Sequence, residues 1–243
     1  MARIVLIFEA LPRSSDKEMI VIGLKEFILS WGDVPDWAQT TANSLLINVK
    51  VKDPFTFYHC CRVGRAARRL AQAMGLNEYD QMRLEYAGLF HDIGKVGIPD
   101  NILFKPGRLD KEEYEVMKSH ALMSAVIIEP LKKDEFIKSL LPGIRAHHER
   151  IDGMGYPYQL SGEQVPLAAR IISVVDCVDA MMNTRPYRRG LTFDVVKEEL
   201  IEFSGTQFDA NIVKVYLDAT RFWKHIEEKD DEEVIIHQIL KAG

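Results

Sequence analysis

The 243-residue chain predicts an all-α fold, a helical bundle with a short N-terminal extension. Apolar residues recur at spacings of three and four through most of its length, and helix-capping residues stand where those stretches begin. Strand signals are thin. Ile4–Phe8 fits either a short strand or the start of a helix, and Ser14–Ser30 is already helical in pattern. Met1–Lys52 contains no histidine and is set apart as an extension, with Asp53-Pro54 as its boundary. From Phe57 to Met74, small or apolar residues (Cys60, Val63, Gly64, Ala67, Leu70, Ala71) keep helical spacing, and Gly75 closes the helix. A second helix starts after Asn77 and runs through Leu84 and Leu89 toward His91-Asp92, ending near Gly94. Asp110 to Glu113 has the form of a capping box and opens a helix through Tyr114, Met117, Ala121 and Ile128, which Pro130 stops. His120 lies on its apolar face.

A further helix runs from about Leu140 into His147-His148, and Pro166 suits N1 of one carrying Ile171, Ile172, Val175 and Asp176. Thr192 and Asp209 cap two more, and Asp230–Lys241 forms a charged amphipathic helix. The chain thus divides into 1–52, a helical domain over 53–220 and a charged tail over 221–243. Val96–Arg108 and Arg150–Val165 hold much of the Gly and Pro and exceed the ordinary connection of ~4–6 residues, a length associated with function.

A composition of 47% apolar and 28% charged residues supports a globular core and excludes disordered or collagen-like chains. The net charge of −5 argues against DNA or RNA duplex binding, so an anionic ligand requires a local basic pocket. No apolar run reaches the ~18–20 residues of a membrane span and no secretory signature opens the chain, so a cytoplasmic location is expected. Cys60, Cys61 and Cys177 are expected to be reduced thiols.

Of seven histidines, five (His59, His91, His120, His147 and His148) fall between residues 59 and 148. One histidine on an apolar helical face is ordinarily a hydrogen-bonded core residue. Five of them, with Asp92 and Asp176, all at inward faces or helix ends, are costly to bury unless a shared cation compensates them. Imidazole and carboxylate without thiolate suit Fe, Mn or Zn, and seven donors exceed the needs of one ion. Two ions bridged by a carboxylate such as Asp92 can hold a hydroxide and clamp a phosphoryl group for in-line attack.

From Asp53 to Ala219 the sequence resembles the HD-GYP subgroup of the HD metal-dependent phosphohydrolases. The resemblance rests on Asp53-Pro-Phe-Thr-Phe-Tyr-His59-Cys-Cys-Arg62, His91-Asp-Ile-Gly-Lys95-Val-Gly-Ile-Pro99, His120, His147-His-Glu-Arg-Ile-Asp-Gly-Met-Gly155-Tyr-Pro157, Ala169 through Asp176 to Asp179, and Arg185-Pro-Tyr-Arg188. It implies one ion held by His59, His91, Asp92 and Asp176 and a second by Asp92, His120, His147 and His148, most often iron or manganese, with zinc also allowed. A third ion in some members uses a Glu four residues before the first His. That position is Phe55 here, which limits the expectation to two.

The resemblance further implies hydrolysis of cyclic di-GMP to linear pGpG and onward to GMP by hydroxide held between the ions. Lys95 is expected to stabilise charge on a phosphate oxygen, with Arg185, Arg188, Asp179 and Tyr156 near the substrate. Tyr156 either stacks on a base or packs the loop. Glu149 is expected to orient a histidine or Lys95, and Arg62 to form a buried salt bridge. Rival readings are a general HD-type nucleotide phosphohydrolase, preference for the mixed GMP–AMP cyclic dinucleotide, and a slow cyclic-dinucleotide receptor or docking module. Met1–Lys52 is open to three roles: a helical cap, a dimerisation element giving a homodimer, or a trimmed sensor.

Overall fold

The computed structural model describes residues 36–183, 189–221 and 223, with side chains from residue 40 onward. The expectations for Ile4–Phe8, Ser14–Ser30, Arg185, Arg188 and Asp230–Lys241 lie outside those residues. The described residues form ten α-helices and three short 3₁₀ turns, with isolated bridges at Asp152–Ser161 and Ser204–Phe208 but no strand. None of the described helices is long and apolar enough to cross a membrane.

Helix α1 (Asp36–Lys52) runs into α2 (Pro54–Ala73) through a single residue, Asp53. The Asp53 N–H donates to Val49 O at 2.7 Å, and its carboxylate accepts from Phe55 N–H and the Thr56 hydroxyl at 3.0 and 2.6 Å. One residue therefore ends one helix and caps the next, with Pro54 at the first position where its missing N–H costs nothing. Ala42, Leu46 and Val49 of α1 are buried in the same core as Phe57. The latter half of α1 therefore packs into the bundle on the far side of the Asp53-Pro54 boundary expected from the sequence.

Helix α2 packs along α3 (Glu78–Phe90), which Asn77 caps. The pair approaches closely at Gly64 and Gly88, where a Cβ on Gly88 would lie 2.8 Å from the Gly64 Cα. A 3₁₀ turn (Ile93–Gly97) and the single-turn α4 (Asp100–Leu103) follow. The Asp110–Glu113 capping box opens α5 (Lys111–Lys118) as expected, but the helix breaks at Ser119 and α6 (His120–Ile128) begins anew. The break sets His120 at a helix start rather than mid-helix. Helix α7 (Glu135–Ala146) starts five residues before Leu140, capped by Asp134, and carries Pro142 on its exposed face. A proline removes one helical hydrogen bond, and α7 offsets that by burying Ile137, Leu140, Leu141 and Ile144.

Helices α8 (Leu167–Met182), α9 (Phe193–Glu202) and α10 (Ala210–Thr220) complete the bundle, with Pro166, Thr192 and Asp209 at their caps. Phe57, Leu70, Phe90, Ile144, Ile171 and Tyr216 are among the fully buried side chains, each contributing roughly 1.5–3 kcal/mol by leaving water. No disulfide joins Cys60, Cys61 or Cys177, and the first two are buried.

Candidate metal centre

The seven candidate donors come from five helices and meet where those helices end or turn inward. His59 lies in the second turn of α2, His91 at the C-cap of α3 with Asp92 beside it, and His120 at the start of α6. His147 follows the last residue of α7 with His148 next, and Asp176 sits on α8. Three imidazoles share one local device. The Nδ1 atoms of His91, His120 and His147 lie 2.7, 2.6 and 2.7 Å from the carbonyls of Gly88, Met117 and Ile144, each three residues back. A carbonyl only accepts, so each Nδ1 carries a proton and each Nε2 is the atom turned inward. His59 reaches the same state by another route, with Nδ1 2.6 Å from Asp179 Oδ2.

Asp92 stands between two donor groups. Its Oδ1 is 3.1 Å from His120 Nε2 and 4.0 Å from His147 Nε2, and its Oδ2 is 3.4 Å from both His59 Nε2 and His91 Nε2. Asp176 Oδ1 lies 3.1 Å from His59 Nε2 and 3.8 Å from His91 Nε2. His120 Nε2 faces the Nε2 atoms of His147 and His148 at 3.3 and 3.1 Å. Lone pairs that close repel unless a proton or cation stands between them. His91 Nε2 and Asp92 Oδ1 are buried without a hydrogen-bond partner, an arrangement that costs free energy unless something binds there. Asp92, His120, His147 and His148 offer ligand atoms within 4.8 Å of one another, as do His59, His91 and Asp176. The donor types and their spacing fit divalent metal ions, which both groups could hold.

The two groups differ in charge. Burial lowers the pKa of His59, but Asp176, Asp179 and Asp92 outweigh it and hold the ring up at about 10; Asp92 and Asp176 likewise raise His91 to about 9 against burial. In the imidazole-rich group, burial and then His120 push His148 down to about 3, and burial with the neighbouring imidazoles depresses His147. Burial opposes ionisation of Asp92, yet Lys95, His91 and His120 keep it well below the usual carboxylate range.

The surrounding residues hold this geometry. Asp179, expected near the substrate, lies behind the His59 ring, where Arg62 donates to both its oxygens at 2.6 and 3.1 Å and Asn183 to Oδ1 at 3.0 Å. Its carboxylate is thereby turned away from the donor cluster. Lys95 reaches back across one turn to bond Asp92 Oδ2. Glu149, expected to orient a histidine or Lys95, instead accepts from the backbone N–H groups of Tyr158 and Leu160 at 2.6 and 3.0 Å, bracing the loop that follows His148. In that loop Gly153 takes the left-handed conformation (φ 79°), whereas Gly155 is required for space: a Cβ there would lie 2.4 Å from Arg150 N and 2.6 Å from His148 O. The Tyr156 ring stacks on His148 with centroids 4.7 Å apart. Tyr114 and Lys118, which the sequence did not single out, lie beyond it.

A helical bundle with histidine and aspartate donors at its helix ends is an HD domain: a protein-family profile of that description matches residues 44–212, and the chain belongs to that family. The His91-Asp92 pair and the Gly155-Tyr156-Pro157 loop set it in the HD-GYP group. It is 34% identical over 187 residues to a Thermotoga maritima protein named cyclic di-GMP phosphodiesterase, covering 76% of this chain and 50% of that one. It is 33% identical over 187 residues to a Vibrio cholerae protein named 3'3'-cGAMP-specific phosphodiesterase 2, covering 76% of this chain and 35% of that one. The chain thus spans about half the length, or less, of these relatives. The crystal structure of a V. cholerae cyclic GMP-AMP-specific phosphodiesterase shares the fold, with a TM-score of 0.59 at 18% identity over 81% of this chain and 52% of that one.

Proposed function

We propose that the chain hydrolyses cyclic di-GMP to linear pGpG, and onward to GMP, at a centre of two divalent ions, iron or manganese, with zinc also compatible with the ligand set. The observation that carries the reading is the position of Asp92, one carboxylate oxygen facing His120 and His147 and the other facing His59 and His91. One ion would be held by His59, His91, Asp92 and Asp176, the other by Asp92, His120, His147 and His148. When bound, such ions supply Lewis acidity for a phosphodiester and make a coordinated water a ready nucleophile at neutral pH. The chain's own residues do the rest. The carbonyl-anchored histidines keep their Nε2 atoms fixed inward, so the rings need no reorientation before binding. Lys95 brings an ammonium to the edge of the centre, where it is positioned to move from Asp92 to a phosphate oxygen as negative charge grows on it. Arg185 and Arg188 are assigned to the remaining phosphate or a base by their planar donor forks. A cytoplasmic location and a homodimer belong to the same reading.

Metal analysis and product identification on anaerobically purified protein test this together. Two ions per chain with pGpG or GMP formed from cyclic di-GMP is the expected result. Tight binding of the dinucleotide with full metal and no product would replace the enzyme with a receptor.

A further inference from the structure

Beyond the metal cluster an aromatic ladder leads outward. The His148 ring stacks on Tyr156 at 4.7 Å and 25°, and Tyr156 meets Tyr114 of α5 edge-on at 6.5 Å and 80°. One face of Tyr156 is therefore occupied by a donor ring. The next ring out is not: Tyr114 is 48% exposed. Lys118, one turn along the same helix, holds its Nζ 5.4 Å from the Tyr114 centroid and 5.7 Å from that of Tyr156. Its carboxylate partner is Glu115 at 2.7 Å, a largely exposed residue whose hold is weakened by solvent and readily exchanged. The capping box fixes the start of α5, and Lys105 bonds Glu113, so this platform rests on an anchored helix.

We propose that Tyr114 and Lys118 form a guanine subsite at the mouth of the centre, with Tyr114 stacking on the base and Lys118 donating to its O6 and N7. The inference rests on the cyclic-dinucleotide reading above. A phosphodiester held at the metal cluster leaves its nucleoside to extend outward, and Tyr114 lies two ring steps out from His148. A flat, half-exposed phenol ring suits any base by its π-face, and stacking alone does not discriminate. The ammonium supplies the discrimination. Guanine offers two acceptors, O6 and N7, on one edge, whereas adenine offers N7 beside an amino donor that a lysine cannot satisfy.

Steady-state kinetics on the metal-loaded full chain test the subsite, with cyclic di-GMP, cyclic di-AMP and the base-free diester bis(p-nitrophenyl) phosphate as substrates. Tyr114→Ala should raise KM for cyclic di-GMP about tenfold, with kcat nearly kept and the loss confined to purine-bearing substrates. Tyr114→Trp should recover most of it. Lys118→Met should lower the ratio of kcat/KM for cyclic di-GMP over cyclic di-AMP by roughly fivefold or more. Equal losses on the base-free diester, or an unchanged KM in Tyr114→Ala, overturn the subsite and assign these side chains to packing; Tyr114→Leu repeats the test if the alanine variant fails to fold. Wild-type protein with full metal that cleaves no cyclic dinucleotide overturns the parent reading, and the subsite falls with it. Wild-type turnover with indifferent variants overturns the subsite alone.

Discussion

Asp179 Oδ2 lies 2.6 Å from His59 Nδ1, on the far side of the imidazole from the donor cluster. Arg62 holds the same carboxylate through Nε and a terminal nitrogen, so α2 and α8 are tied together behind a candidate metal ligand. Asp179→Ala should therefore weaken metal binding or turnover by roughly 10–100-fold while leaving KM for substrate nearly unchanged. Metal titration combined with KM determination checks it. A raised KM with normal metal affinity would return Asp179 to the substrate side.

Asp92 and Lys95 should part company when each is removed. Asp92→Ala takes away the carboxylate that faces both donor groups, and metal content and activity should fall together. Lys95→Ala should keep its metal and lose rate, on the order of 10²–10³-fold. Elemental analysis beside turnover of each variant separates the two roles, and full metal with unchanged rate in either variant contradicts its assignment.

Ion uptake should release protons. Before ions bind, burial lowers both rings, but Asp176, Asp179 and Asp92 hold His59 at about 10 and Asp92 and Asp176 hold His91 at about 9, so both are protonated at neutral pH. His148, down at about 3, is already neutral. Calorimetry in two buffers of different ionisation enthalpy should report about two protons released per chain near pH 7, and affinity should climb as pH rises toward 9. The same shifts give the ion-free protein a sign on stability. The raised His59 and His91 contribute below about pH 6.5 and lose that contribution as pH rises through about 9 and 10, so chelated protein should melt earlier in mild alkali.

Gly155 and Glu149 should prove as sensitive as the ligands. A methyl at Gly155 would stand 2.5 Å from the Glu149 Cα and must push the loop away from His148. Gly155→Ala should cost on the order of 1–3 kcal/mol in urea unfolding and lower metal occupancy with it. Glu149→Ala leaves the Tyr158 and Leu160 N–H groups without their acceptor and should cost a comparable ~1–3 kcal/mol.

Local features of this chain were legible before its structure. Asp110 with Glu113, Asn77 and Gly75 carry cap chemistry within a few residues, and they bound their helices where expected. The donor histidines stood out because their types are costly to bury, a property that needs no knowledge of packing. What spacing did not carry depends on distant elements. Asp179 is one turn from Asp176, yet its partner is 120 residues away on α2, and only the packing of α8 against α2 turns it toward His59. Ser119 is an unremarkable helical residue in sequence, and α6, which starts after it, packs against the 3₁₀ turn that follows Asp92. Asp53-Pro54 looked like the edge of a domain, but Leu46 and Val49 before it are buried in the same core as Phe57.

The contact between Gly64 and Gly88 has a mechanical meaning for the centre. These residues lie five positions after His59 and three before His91, and no side chain separates them. Backbone rests on backbone, so α2 and α3 behave as a fixed gauge. Sliding either helix by one residue, about 1.5 Å, would bring a neighbouring side chain into the gap and jam it. The 5.1 Å spacing of the His59 and His91 rings thus rests on two absent side chains as well as on those that are present.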